Sequence, residues 1–472
     1  MGGLGIDRPL RVRFSAGAGT LSPADARSAL FSWLIARRSG GHFVVRLDDA
    51  QPLGEQASDA VTDLRWLGLE PDEGPDAGNA FGPYRSAERR ALYDAALAEL
   101  AARGATHERD GAMVLQRGVA ATVVPDLLHG DVHFGGEALG EIVVRGADGV
   151  PSRVLRATVD DAAMRIDLVV QDGRGLDRAA RQTALARALG VSSPRFAHAG
   201  TLVEPKDATL PAVGDLRRAG YLPGAVIEHL ALLGWSPADG RETFTLEELA
   251  ELFSLDRVGV SETHFDPDRL RAFNGRALRL LPRERYHALL AERMQRTRLL
   301  EDPIPAAAHR WIETFLDAFG AEAHTLGEAI DAVAALRAES TAIPALELER
   351  LRNRHVLFFL DTVSQYVDDQ PELRDLPLGH DLPAIAAEFG LAREDAFAAV
   401  RMALTGTHDG PPLSLLFPLL GHERIMMRIG AVSSHILHGR GLDPIKFGPG
   451  GVPFETIRPE LPQATANRGD GS

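Results

Sequence analysis

Apolar positions change their spacing twice along the chain. Leu10 begins "LRVRF", a run of strand character, which leads through the glycine-rich "SAGAG" into "SPADARSALFSWLIARR". The last stretch carries apolar residues at helical spacing to about Ser39. "GHFVVRLDD" reads as a buried strand with polar ends, and "SDAVTDLRWLGL" and "RRALYDAALAELAARG" read as helices. From Thr106 to Val150 the pattern shortens to alternating runs such as "GEIVVRGADG", which predict a β-rich insertion. Helix and strand then alternate again through "AAMRIDLVV" and "LDRAARQTALARALG". Such a split pattern predicts a parallel sheet interrupted by an inserted domain. After Gly220 nearly every apolar run has helical spacing, as in "YLPGAVIEHLALLGW", "AAHRWIETFLDAFG" and "RHVLFFLDTVSQYV". Met1 to Pro9 reads as a flexible lead-in, and the polar stretch after about Arg458 as a disordered tail.

A glycine-rich loop between a first strand and a first helix is where an α/β protein usually seats a phosphate. Here the helix opens Ser22-Pro23-Ala24-Asp25. Ser22 is a good N-cap, and Pro23 suits the first helical position because its missing N–H costs nothing there. Asp25 sits where an acid caps back and complements the helix dipole. The turn predicts a helix start that satisfies its own donors and repels an incoming phosphate.

Composition narrows the classes. The 472 residues are 45% hydrophobic and 25% charged, which suits an ordinary globular protein of two to four domains. The absence of cysteine excludes disulfides, thiolate zinc sites and cysteine nucleophiles. No apolar run is long enough to span a bilayer and no signal peptide is evident, so a cytoplasmic location is expected and no membrane partner. The net charge of -15 argues against indiscriminate nucleic-acid binding but leaves room for one basic face. Arginine carries nearly all the positive charge; the only lysines are Lys206 and Lys446. "HGDVH", from His129 to His133, would place two histidines and Asp131 on one strand face, but no metal is expected there.

"RVRFSAGAGTLSPADARSALFSWLIARRSGGHFVVRLDD" resembles the opening of a bacterial glutamyl-tRNA synthetase, a class I enzyme. "FGPYRSAERRALY", "ALGEIVVRGADGVP" and "GYLPGAVIEHLALLGWSP" are similar to later parts of that family, and "VRMALTGTHDGPPLSLLFPLLGHERIMMRI" to its anticodon-binding end. The resemblance implies an α/β plus all-α fold: a split Rossmann-like class I catalytic domain with C-terminal helical anticodon-binding-like domains. It implies a first Rossmann-like half over 1–105, an acceptor-stem-type insertion over 106–157 and a second half over 158–219. A stem-contact helical region over 220–282, helical subdomains over 283–385 and 386–458 and a tail over 459–472 complete it.

The departures fall on the chemistry. The family's HIGH-type turn, which cradles ATP phosphates, aligns with Ser22 to Asp25, and the loop before it is one residue short. Its KMSKS-type loop aligns with Val203-Glu204-Pro205-Lys206-Asp207. Lys206 matches the second lysine of that loop, which stabilises charge developing on pyrophosphate; an exposed loop lysine is the other reading. In the amino-acid pocket Arg13 matches an arginine of the first strand, and Asp48 stands for a glutamate in "RIED". Arg153 takes the tyrosine position of "PTYNF", and Gln171 the arginine of "IRGEDH", where "DGRG" replaces "GEDH". Losing a bidentate arginine removes a strong carboxylate contact. Arg153 either restores that charge from another side or is a solvated strand arginine. Asp160-Asp161 matches the strand end "VVDD" and reads as structural.

Both nucleotide signatures and the pocket change together. Three functions stay open: a tRNA-binding pseudo-synthetase, a synthetase fold recruited to another amino-acid ligation in specialised metabolism, and an active glutamate-tRNA ligase. ATP and magnesium are expected only if activity survives. Transfer RNA is the expected partner, with a small-molecule amino acid as a further ligand.

Overall fold

The computed structural model describes residues 8–17, 19–49, 59–78, 81–116, 121–203 and 209–438. Lys206, Lys446, most of the lead-in and the polar tail lie outside them. The chain divides into two units. The first comprises residues 1–302 with 319–331, and the second 303–318 with 332–472.

The first unit opens with strand β1 (Arg11–Ala16), helix α1 (Pro23–Arg38), β2 (His42–Leu47), α2 (Asp59–Trp66) and α3 (Arg90–Ala102). Five short strands follow: β3 (Thr106–Arg109), β4 (Ala112–Leu115), β5 (Thr122–Asp126), β6 (Gly130–Phe134) and β7 (Val143–Arg145). Then come α4 (Arg153–Ala163), β8 (Leu168–Asp172), α5 (Leu176–Leu189), β9 (Arg195–Ala199) and β10 (Leu202–Val203). Helices α6 (Val213–Ala219), α7 (Pro223–Leu232) and α8 (Leu246–Leu252), strand β11 (Thr263–His264), α9 (Pro267–Leu280) and α10 (Arg283–Arg296) finish it.

The main sheet has the order β2-β1-β8-β9-β5-β6 and is parallel except for β6, which runs antiparallel to β5. Its side chains alternate between two cores, as a sheet covered on both faces requires. Val12, Phe14, Phe43, Val45, Leu168 and Val170 pack with α1, α7 and α8. Val44, Val169 and Phe196 pack on the opposite face with α3, α4 and α5.

Several boundaries depart from expectation. The insertion is not a separate β unit: β5 and β6 extend the main sheet, and only β3, β4 and β7 form their own antiparallel sheet. The expected boundary after 157 falls inside α4, where Ser152 caps the helix by accepting from the Leu155 N–H at 3.2 Å. Asp160 and Asp161 therefore lie on a helix and not at a strand end. The boundary after 385 falls inside a helix too, and α10 belongs to the first unit.

The second unit is helical, through α11 (Ala306–Phe319), the part of α12 (Leu326–Arg337) after Asp331, α13 (Ala345–Arg350), α14 (Arg354–Asp368), α15 (Leu378–Glu388), α16 (Arg393–Thr405) and α17 (Leu413–His438). Gly421, with φ 73°, kinks α17. Arg428 is buried there and donates to the Ala335 and Leu336 carbonyls of α12 and to that of Ala338 just past it, at 2.6–3.2 Å, and to Leu404 of α16. It thus satisfies carbonyls that two helix ends leave open.

His229 of α7 is buried with its ring against the edges of Phe265 and Phe273, at centroid distances of 4.8 and 6.1 Å. Burial, aided by nearby Arg269 and opposed by Asp266, pushes its pKa down from 6.5 to about 4. Between those values the unfolded chain binds a proton that the folded chain refuses. Its stabilising contribution is complete above pH 6.5 and is lost as the pH falls toward 4. Urea titrations at a series of pH values should show the native chain losing stability over that window faster than His229→Leu, by about 3 kcal/mol at the acid end. Parallel curves for the two proteins would contradict a neutral buried imidazole.

Candidate active site

Alternation along the sheet sets one polar stripe at the carboxyl ends of the strands. On the face covered by α4 and α5 lie Arg13 and Ser15 of β1, Arg46 of β2, Gln171 of β8 and His198 of β9. Ser15 is in register with Arg46, and Gln171 with His198. The crevice outside these ends, between β1 and β8, is where strand order reverses and where open α/β sheets take ligands.

Two adjacent carboxylates on α4 neutralise the arginines beneath it. Asp161 receives Arg13 through Nε and Nη2, both at 2.8 Å, and the Gln182 amide at 2.6 Å. Asp160 receives Arg46 at 2.8 Å, Arg89 at 2.6 Å and the Tyr93 hydroxyl at 2.8 Å. All five charged partners, Arg13, Arg46, Arg89, Asp160 and Asp161, are at most 4% exposed. Arg13 also donates to Ser15 Oγ at 2.8 Å, so both edges of its guanidinium are engaged within the protein.

The start of α1 follows the sequence expectation with one change in detail. Ser22 is the N-cap, its Oγ accepting from the Asp25 N–H at 3.1 Å, and Pro23 follows it. Asp25 reaches back to the Ser22 hydroxyl, which donates to Asp25 Oδ2 at 2.7 Å, and not to the Ser22 backbone. The loop before it is tied down by Asp63 of α2, which accepts from the Thr20 hydroxyl and from the Leu21 N–H at 3.0 Å. Arg27 anchors the helix from behind, donating to the Leu233 carbonyl at 3.1 Å and to Gly200 at 2.5 Å, and pairing with Asp172 at 3.2 Å.

Asp48, just past β2, is nearly buried and ion-paired with two arginines. Arg153 Nε reaches Asp48 Oδ2 at 2.9 Å, and Arg156 Nη2 reaches Oδ1 at 2.8 Å. Burial alone would raise the Asp48 carboxyl, but Arg46, Arg156 and Arg153 together hold it below its ordinary value. Burial lowers the Arg153 pKa, Asp48 opposes that, and the crowding of Arg178, Arg46 and Arg13 adds to it. Arg153 is the first residue of α4, which rules out the strand alternative.

Above the stripe lies a cavity of about 390 Å³, within the range of small-ligand sites. It is lined by Arg13, Ser22, Asp25, Arg153 and Gln171, so five of the residues chosen from sequence meet in one place. Asp48 reaches it through Arg153. Lys206 lies outside the described residues. Arg46, Arg178 and Gln182 also line the cavity and were not anticipated. For Arg46 there was a signal, an arginine in the middle of the apolar strand "HFVVRL". Gly175 lies on the cavity wall where any Cβ would come within 2.3 Å of Gln171 Oε1 and 3.2 Å of His198 Nε2, two buried atoms without partners. His198 Nδ1 pairs with Asp126 at 2.6 Å; burial opposes the shift, but this bond and the backbone donors of Leu128 and His129 hold Asp126 down at about 2.

Residues 9–112 and 113–272 match the family model for the class I tRNA synthetases (E and Q), catalytic domain, and residues 286–432 that for an anticodon binding domain. The chain belongs to the class I tRNA synthetases of the E and Q group. A glutamate–tRNA ligase of Desulforudis audaxviator is 30% identical, covering 89% of this chain and 95% of its own. Glutamate–tRNA ligase 1 of Rubrobacter xylanophilus is 33% identical, over 89% and 97%. The crystal structure of a glutamate tRNA ligase from Elizabethkingia meningosepticum shares the fold, with a TM-score of 0.71 at 20% identity, covering 91% of this chain and all of that one. The expected architecture, a split Rossmann-like catalytic domain followed by helices, is thereby met. No helix among the described residues is long and apolar enough to cross a membrane.

In this synthetase scaffold the Arg13–Asp161 pair should be structural first. Asp161→Ala strands a buried guanidinium and should cost about 3–5 kcal/mol in a denaturant titration. The double change Arg13→Met with Asp161→Leu should recover most of that. A single mutant as stable as the native chain would show that solvent already reaches Arg13.

Proposed function

We propose that this chain is a glutamate-tRNA-ligase-like protein whose ATP and glutamate contacts have been replaced. It binds tRNA and does not make glutamyl-tRNA efficiently. The observation that carries the reading is the start of α1. An anion approaching a helix N-terminus needs free N–H groups and a favourable charge. Here Ser22 occupies the Asp25 N–H, Pro23 has none, and the Asp25 carboxylate stands at the entrance. Nucleotide phosphates do not fit this turn, and no catalytic step is assigned through them. The pocket supports the same reading, because Asp48 is ion-paired with two arginines and Gln171 replaces a fixed positive charge.

Transfer RNA is the proposed macromolecular partner, on the strength of the anticodon-binding match over residues 286–432 and of relatives named as glutamate–tRNA ligases. The cytoplasm is the proposed setting. The cavity favours a second reading, recruitment to a different amino-acid ligation, with Arg13 and Arg153 lining a remodelled pocket and Lys206 as the lysine of the aligned loop motif. Magnesium ATP would be its nucleotide, and active glutamate-tRNA ligation is the outcome that opposes both.

Calorimetry should give ATP binding more than about tenfold weaker than in a working ligase, a loss of at least about 1.4 kcal/mol. Comparable affinity would end the claim for the α1 turn. Filter binding should show tRNA retained at low salt, with log affinity falling linearly against log salt concentration. No retention at low salt would reject the pseudo-synthetase and leave recruitment standing. Pyrophosphate release across a panel of amino acids, with and without tRNA, separates the remaining cases. If release occurs, Lys206→Ala should slow it roughly a hundredfold, the scale of one lost electrostatic donor. Release that the mutant matches would remove Lys206 from the chemistry.

A further inference from the structure

The helical unit holds a second cavity of about 620 Å³, lined only by residues of that unit. Its walls are α11, the connection between α14 and α15, and the kink of α17. Three side chains fasten those walls to one another. Trp311 Nε1 of α11 donates to the Leu419 carbonyl of α17 at 2.9 Å. His422 Nε2 of α17 donates to the Gln370 carbonyl, in the connection, at 2.8 Å. Arg374 Nη2 reaches from the connection to the Thr314 hydroxyl of α11 at 3.5 Å. The kink itself uses Gly421, whose φ of 73° favours glycine. A cavity braced across all three walls is pre-formed, as small-molecule sites usually are.

Its polar lining is largely unspent. Arg310 has no side-chain hydrogen bond or ion pair among the described residues, and Arg374 has only the Thr314 contact. Thr314 links the two, since its hydroxyl also donates back to the Arg310 carbonyl at 3.0 Å. The chain has 66 acidic and 51 basic residues, yet two guanidinium groups in one cavity go without a carboxylate. Such forks suit a phosphate. Glu372 lines the same cavity two residues before Arg374 and is paired with neither arginine. A bare anion would be repelled by it, so the ligand needs hydroxyl or N–H donors close to its negative group. Trp311, stacked on Phe315 at a centroid distance of 5.5 Å, adds an aromatic wall, with Pro371 and Pro418 beside it.

We propose that this cavity binds a free 5′-ribonucleotide. Arg310 and Arg374 hold the phosphate, Glu372 accepts from the ribose diol, and the base packs on Trp311. An acid on ribose hydroxyls is a recurring device of nucleotide sites, and stacking on an aromatic ring tolerates any base. Bare phosphate would leave the aromatic wall and Glu372 unused. An internal nucleotide of an RNA chain fits less well, because its phosphodiester carries a single charge and its 3′ oxygen is blocked, which breaks the diol. The assignment is confined to the second unit and is independent of the reading of the cavity over the sheet.

The probe is guanosine monophosphate, whose base differs from that of the nucleotide tested at the α1 turn. Calorimetry of the full chain should show one site for it. Arg310→Ala and Arg374→Ala should each raise the dissociation constant about tenfold, or about 1.4 kcal/mol. Arg310→Ala should leave the unfolding midpoint unchanged, because the side chain is exposed and unpaired, and Arg310→Lys should restore part of the loss. The native chain should bind the 2′-deoxy form about tenfold more weakly, and Glu372→Ala should abolish that difference. No binding at millimolar concentration, or native affinity in both arginine variants, would overturn the assignment. Inorganic phosphate binding as tightly as the nucleotide would also overturn it, since the site would then read charge alone. Filter binding supplies the last arm. The double variant Arg310→Ala with Arg374→Ala should retain tRNA as the native chain does. Loss of tRNA by that variant would assign the two arginines to an RNA backbone and overturn the free-nucleotide site, while leaving the proposed tRNA-binding function intact.

Discussion

Two neighbouring carboxylates on one helix hold the catalytic-domain scaffold of this protein together. Asp160 and Asp161 reach down from α4 onto the sheet and take guanidinium groups from β1, β2 and the turn before α3. Each charge would be expensive to bury alone, and the networks are tolerable because every carboxylate has several donors. Gln182 adds α5 to the same knot and Tyr93 adds α3. Any ligand site over this face must be built from what the pairs leave over.

What they leave over is a positive floor. The arginines of the strands are committed, so the reactive surface shifts outward to helix starts: Arg153 at the first position of α4, Arg178 in the first turn of α5, and the closed Ser22–Asp25 turn of α1. Three helices thus point their N-termini at one crevice, the usual arrangement for anion chemistry in such sheets. One of them carries its own acid. The start of α1 is capped by its own side chains, whereas Arg153 and Arg178 line the cavity.

Much of the scaffold could be read from residue spacing. Strands β1, β2 and β8 are apolar runs bounded by polar residues, and the capping residues Ser22 and Pro23 mark the start of α1 without ambiguity. Helix α4 was harder. "RVLRATVDDAA" contains Val154, Thr158 and Val159, which favour strands, and its buried Asp160 and Asp161 look like the polar end of one. The helix survives because Ser152 caps it and because arginines from elsewhere in the chain satisfy the aspartates. The joining of β5 and β6 to the main sheet was equally hidden, since β5 meets β9 across some seventy residues of sequence.

The sequence by itself determined the order of most helices and strands, though not α4, the family, the self-capped start of α1 and five residues of the cavity wall. Those features depend on local spacing, local hydrogen bonds and short motifs, which a linear string contains. Tertiary structure alone decided which arginines are spent and which remain available. Arg13 looks like a ligand-binding residue in the strand, yet it is consumed by Asp161, and Asp48 is consumed by Arg153 and Arg156. Arg178 carries no local mark at all, but it lines the cavity and has no side-chain hydrogen bond or ion pair among the described residues. Charge in a buried site is decided by pairing, and pairing is a property of distances between residues far apart in the chain.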